Sequence, residues 1–253
     1  MRTNLERLLN QNRSWVAERT GEDADFFTRQ VDQHEPHFLW IGCSDARVPA
    51  NVVTQTNAGE MFVHRNIANL VVPTDNNLLA VLEYALEVLK VQDVIVCGHY
   101  RCGGVRASMG EVPLPRVDAW LENIRTVRRL HAAELNAIED ETTRWRRLVE
   151  LNVAEQVSSL SRLPVVRTVW DRGDVLRLHG IVYDIADGVL RDLGVTRESP
   201  TDPWASNATA TTSNGTATVP DSPGAAARPS GPARVAAADR AAAAATAAAS
   251  SAA

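Results

Sequence analysis

Two short stretches constrain this chain more than any others: HFLWIGCSDARVP, from His37 to Pro49, and DVIVCGHYRCGG, from Asp93 to Gly104. Each opens with a mostly apolar run of strand length that closes on glycine, the pattern of a buried parallel strand. Each then delivers metal-binding side chains just past the strand end, Cys43 and Asp45 in the first and His99 and Cys102 in the second. In an open α/β sheet, ligands collect beyond the carboxyl ends of neighbouring strands, so the two halves are expected to meet in space. Two thiolates, one imidazole and one oxygen suit tetrahedral zinc, and three protein ligands with one exchangeable position are what a catalytic zinc requires. Arg47, two residues after Asp45, has no use at a purely structural zinc site.

Between the two motifs, NNLLAVLEYALEVLK places Leu78, Leu79, Leu82, Ala85, Leu86 and Leu89 at helical spacing, which gives strand, helix, strand. Further on, Val149, Val153, Val157 and Leu160 mark a long helix, VVRTVW and VLRLHGIVYD read as strands, and ADG reads as a turn. Thr3 with Glu6 makes a capping-box start, and Leu5, Leu8 and Leu9 give the helix that follows one apolar face. The predicted fold is α/β: a central, mainly parallel β-sheet flanked by helices, with an N-terminal helical arm. Beyond Pro200 the composition turns to Ala, Thr, Ser, Pro and Gly, which cannot bury enough apolar surface to offset its ordering entropy. Residues 1–199 are therefore expected to form the catalytic domain and 200–253 a disordered tail.

A net charge of -5 and a pI near 5.7 argue against nucleic acid or an anionic membrane as partner, since both would call for a basic face, and the expected partner is a small molecule. No segment has the length of a signal-peptide core or a membrane span, and a cytoplasmic location is expected. The three cysteines are expected to be reduced, with Cys97, inside its strand, a buried small hydrophobe. His34, His37, His64, His131 and His179 have no comparable ligand spacing around them.

CSDAR and GHYRCGG, with GEMFVHRNIANLV between them, together resemble the β-class carbonic anhydrases over roughly residues 1 to 195. The resemblance implies reversible hydration of carbon dioxide to bicarbonate and a proton on one zinc per chain, with Cys43, His99 and Cys102 as ligands and Asp45 and Arg47 as a catalytic dyad. Zinc brings the pKa of water toward ~7. If Asp45 takes the fourth position the site is closed; if Arg47 holds Asp45 in a bidentate pair the site is open and Asp45 can orient the nucleophile.

The resemblance further implies a carbon dioxide pocket containing Phe62 and Tyr84, with either Gln33 or His34 where the family commonly has glutamine. Arg101 stands where a smaller residue is common. Trp40, Gly42, Val48, Arg65 and Tyr183 match the positions of a non-catalytic bicarbonate pocket in the regulated branch of the family, which implies an allosteric enzyme inhibited by bicarbonate at low pH. A homodimer or homotetramer is expected, the N-terminal arm wrapping a neighbouring subunit. Two other functions would carry these motifs: hydrolysis of carbon disulfide or carbonyl sulfide on the same zinc, and zinc-stabilised bicarbonate binding without turnover. The second would have no use for Asp45 and Arg47.

Overall fold

A computed structural model describes residues 3–31 and 34–200. The expected tail, from 201 onward, and Gln33 lie outside the described residues. Helices α1 (Asn4–Glu22) and α2 (Thr28–Val31) precede strand β1 (Phe38–Cys43), followed by α3 (Ala50–Thr54), β2 (Met61–Asn66), α4 (Asn76–Glu83), β3 (Asp93–His99) and α5 (Gly103–Ala107). Helices α6 (Pro115–Leu130), α7 (Ala132–Asn136), α8 (Glu141–Arg162) and α9 (Pro164–Asp171) lead to β4 (Arg177–Tyr183) and the short β5 (Leu190–Asp192). The strands form one five-stranded sheet in the order β2-β1-β3-β4-β5. All pairs are parallel except β4 with β5, so the expected mainly parallel sheet is what the chain forms. Among the described residues no helix is long and apolar enough to cross a membrane.

The central strands are apolar on both faces because both faces are covered. From β1, Leu39, Ile41 and Cys43 enter the larger core, which α4, α6 and α8 complete, while Trp40 packs on the opposite side with Val48, Ala50 and Cys97. Helix α8 lies directly on the sheet at two glycines: a Cβ at Gly98 would stand 2.5 Å from Val153, and one at Gly180 would stand 3.1 Å from it. The N-terminal helix has the expected capping box, and its Leu5, Leu8 and Leu9 stay exposed on the single chain.

VVRTVW, expected as a strand, is instead the body of α9. Its valines favour a strand only in isolation. Pro164 at the first helical position supplies a preset φ and lacks only an N–H that has no helical partner anyway. Val166, Val169 and Trp170 then recur at helical spacing and bury one face.

At the start of β3 and β4, Arg177 donates to both oxygens of Asp93 at 2.6 Å each, and His179 Nε2 lies 2.9 Å from Asp93 Oδ1. Burial raises the Asp93 carboxyl, but Arg177 and His179 outweigh it and hold it below its ordinary value. A folded pKa below the unfolded one means that this stabilisation is complete above the unfolded value of about 3.9 and is lost as pH falls through the folded one. Asp93→Asn should therefore cost about 2 kcal/mol at neutral pH, with the gap to wild type closing under acid. Urea midpoints at pH 7 and pH 3 check this, and equal midpoints at pH 7 would show the clamp to be idle.

Candidate metal centre

β1 and β3 are adjacent and parallel, in a register that pairs Gly42 with Cys97 and brings both carboxyl ends to the same edge of the sheet. Cys43 ends β1, His99 ends β3, and Cys102 follows through a tight turn in which Arg101 is left-handed at φ 63. The ligand atoms of Cys43, His99 and Cys102 all lie within 4.8 Å of one another, and all three residues are buried. The two sulfurs are 3.9 Å apart. The sequence separates these residues by up to 59 positions; the parallel pairing removes that distance.

The donor set fits a soft-to-borderline cation. His99 Nδ1 lies 3.0 Å from the Tyr100 carbonyl oxygen, which assigns the ring proton to Nδ1 and leaves the Nε2 lone pair facing the sulfurs. That Nε2 is buried and, among the described residues, has no hydrogen-bond partner. An orphaned buried nitrogen is costly unless a ligand completes it. Contact with Cys102 pulls Cys43 well below the ordinary thiol range, and the bond to Cys43 together with burial pushes Cys102 up. A metal that binds both sulfurs displaces the remaining Cys102 proton. Zinc suits two thiolates and one imidazole. The Ala68 N–H also points at Cys43 Sγ, at 3.4 Å.

Asp45 borders this centre, its Oδ2 lying 3.8 Å from His99 Nε2. Arg47 holds it from three directions. Nε donates to Oδ1 at 2.9 Å, Nη2 to Oδ2 at 2.7 Å, and the Arg47 backbone N–H to Oδ1 at 2.9 Å. The guanidinium holds the Asp45 carboxyl well below the usual carboxylate range, against the opposing effect of burial. Arg65, on β2, reaches behind the dyad and donates to the carbonyls of Cys43 at 2.8 Å and Asp45 at 2.5 Å.

The remaining expected site residues form two further groups. Phe62 lies with its ring centroid 5.9 Å from that of Tyr84 and 5.9 Å from that of His34, a small aromatic wall. Tyr84 opens a π-helical turn through Val88, closed by the Leu89 N–H on the Tyr84 carbonyl at 3.0 Å. No glycine or proline marks that turn in the sequence, so only the structure could reveal it. On the other side of the sheet Trp40, Val48 and Tyr183 belong to one packed cluster with Cys97. The Trp40 indole lies over Gly42, where a Cβ would stand 2.2 Å from Nε1, and that buried Nε1 has no hydrogen-bond partner among the described residues. Cys97 is fully buried and its thiol is pushed up by desolvation, so it takes no part in the metal group.

Sequence reasoning overlooked Ala68, whose amide donates to the Cys43 sulfur, because a backbone N–H has no residue-type signal. It also passed over the bonds of Arg65 to the dyad loop.

Comparison with known proteins gives a consistent result. A family model described as carbonic anhydrase matches residues 38–190. The carbonic anhydrase of Emericella nidulans is 45% identical over 190 residues, which cover 75% of this chain and 83% of that one. The carbonic anhydrase of Candida albicans is 36% identical over 200 residues, covering 77% of this chain and 69% of that one. Among solved structures, one from a study of two tetrameric β-carbonic anhydrases of Sordaria macrospora matches with a TM-score of 0.72 at 38% identity, over 76% of this chain and 98% of that one. A Coccomyxa β-carbonic anhydrase in complex with acetazolamide matches with a TM-score of 0.75 at 35% identity, over 78% of this chain and 90% of that one.

Proposed function

Because the chain belongs to the β-class carbonic anhydrase family, whose members are zinc enzymes, we propose that it hydrates carbon dioxide reversibly at Cys43, His99 and Cys102. The observation that carries this assignment is the buried, unpartnered Nε2 of His99 facing two cysteine sulfurs, with Asp45 drawn aside by Arg47. Zinc held by these three residues would supply the Lewis acidity that makes water a nucleophile near neutral pH. Asp45, ionised and fixed by three bonds from Arg47, accepts a hydrogen bond from the attacking water and orients it. Phe62, Tyr84 and His34 offer an apolar wall for a substrate without charge. The chain acts in the cytoplasm as a dimer or larger assembly; the tetrameric relatives from Sordaria macrospora and the exposed apolar face of α1 support the assembly. Purified protein should hold about one zinc per chain, run as a dimer or larger on light scattering, and acidify a carbon dioxide solution in stopped flow. Zinc without turnover, tested with carbon disulfide as the comparison substrate, would remove the hydratase reading.

We also propose that bicarbonate regulates this enzyme through Trp40, Gly42, Val48, Arg65 and Tyr183. The Trp40 N–H, buried without an acceptor beside Gly42, is the kind of donor an anion would complete. Arg65 bonds the carbonyls of Cys43 and Asp45, so an anion that recruits its guanidinium weakens the hold on the dyad loop. Asp45 is then free to leave Arg47 and close the metal position. Bicarbonate shifts that balance only by its preference for the closed state. Activity near neutral pH should fall with bicarbonate more steeply than simple competition allows, and Trp40→Phe or Tyr183→Phe should flatten that dependence. Purely competitive inhibition, identical in all three proteins, would dispose of the switch.

A further inference from the structure

Asn152 and Gln156 lie one turn apart on α8, both almost fully buried, and no step described above uses them. Their amides form a continuous relay. The Val71 N–H donates to Gln156 Oε1 at 2.7 Å, Gln156 Nε2 donates to Asn152 Oδ1 at 3.1 Å, and Asn152 Nδ2 donates to the Ala68 carbonyl at 3.1 Å. Both ends of the relay therefore grip one segment, residues 68 to 71. That segment also donates the Ala68 N–H to Cys43 Sγ.

The segment needs holding. Ala68 and Asn69 sit at φ 65 and φ 50, a left-handed region unfavourable to residues with a Cβ. Asn66 ties the same loop from β2, its amide receiving the Leu70 N–H at 2.7 Å and donating to the Leu70 carbonyl at 2.8 Å, while Trp120 donates to the Ile67 carbonyl at 2.9 Å. Asn152 holds the Ala68 carbonyl, and that carbonyl belongs to the residue whose amide faces the sulfur. Gly104 allows this close approach, since a Cβ there would stand 2.8 Å from Ile67 and 3.3 Å from Ala68.

We propose that Asn152 and Gln156 are positioning residues of the metal centre. The α8 relay holds loop 67–71 in its left-handed turn, the turn aims the Ala68 amide at Cys43, and that bond orients the sulfur and steadies its negative charge. Groups that orient a metal ligand from behind are worth about 10–100-fold in metal affinity. The inference rests on the assignment of Cys43 as a zinc ligand.

The test uses the full chain and reads metal rather than turnover. Zinc affinity is measured by competition with a chromophoric chelator, and sulfur geometry by the thiolate-to-cobalt absorption band of the cobalt-substituted protein. Asn152→Leu keeps the side-chain bulk and removes the donor; it should weaken zinc by about 10-fold or more and shift the band, with helix content unchanged. Glycine adopts positive φ without the cost that alanine meets. Ala68→Gly added to Asn152→Leu should therefore recover part of the lost affinity, which a merely space-filling asparagine would not allow. Should Asn152→Leu not fold, Gln156→Met, which breaks the relay one residue further on, gives the same measurement. Zinc affinity and band equal to wild type in the folded variants, or a loss that Ala68→Gly leaves untouched, would overturn the proposal. A wild-type chain that binds no zinc would instead bring down the metal assignment itself.

Discussion

Cys43→Ser is expected to leave a folded chain that loses its zinc on dialysis and, with it, at least about 100-fold of carbon dioxide hydration. A serine hydroxyl at ordinary pH is neither ionised nor soft, whereas the cysteine it replaces is held below the usual thiol range by its bond to Cys102. The loss is compounded by place. Cys43 ends a strand buried on both faces, and Asp45, the neighbouring oxygen donor, is held aside by Arg47. Metal analysis before and after dialysis against a weak chelator checks the result, with circular dichroism to show that the sheet persists. Full retention of zinc would mean that the buried group built from Cys43, His99 and Cys102 is not where the metal sits.

Asp45→Asn should behave differently. The change preserves shape, removes the charge that Arg47 grips, and leaves Cys43, His99 and Cys102 untouched. Zinc content should stay near that of wild type while hydration falls by about 100-fold, the usual worth of a positioned proton acceptor. Stopped-flow rates alongside metal content separate the two effects. Zinc loss equal to that of Cys43→Ser would show that Asp45 acts only as a ligand.

The parts of this arrangement that were legible in the sequence share one property: a residue type whose chemistry is rare enough to speak for itself. Cys43, His99 and Cys102 could be paired across the chain because two apolar runs ending in glycine announced parallel strands, and parallel neighbours must bring their carboxyl ends together. Asp45 and Arg47 were legible because a bidentate pair two residues apart needs no tertiary information. β2 was not read as a strand: Met61–Asn66 lies at the edge of the sheet, half exposed and without clean alternation. α9 was misread because its valines were weighed above Pro164, whose position before helically spaced Val166, Val169 and Trp170 was the better guide. The π-helical turn at Tyr84 and the left-handed Ala68 and Asn69 had no signal at all, since tertiary bonds rather than glycine hold them.

Val153 carries a consequence for how this family member can drift. Val153 presses one methyl group toward Gly98 on β3, 2.5 Å from where a Cβ would stand, whereas at Gly180 on β4 the tighter neighbour is Val195, at 2.4 Å, with Val153 at 3.1 Å. Glycine has no smaller alternative, and the clash cannot be relieved from the strand side. Change at this seam is therefore ordered in time: Val153 must shrink before Gly98 can grow, whereas the reverse sequence passes through a chain that pushes His99, the next residue along, out of line. At Gly98 the helix has to change first; at Gly180 shrinking Val153 alone would not suffice, because Val195 stands closer.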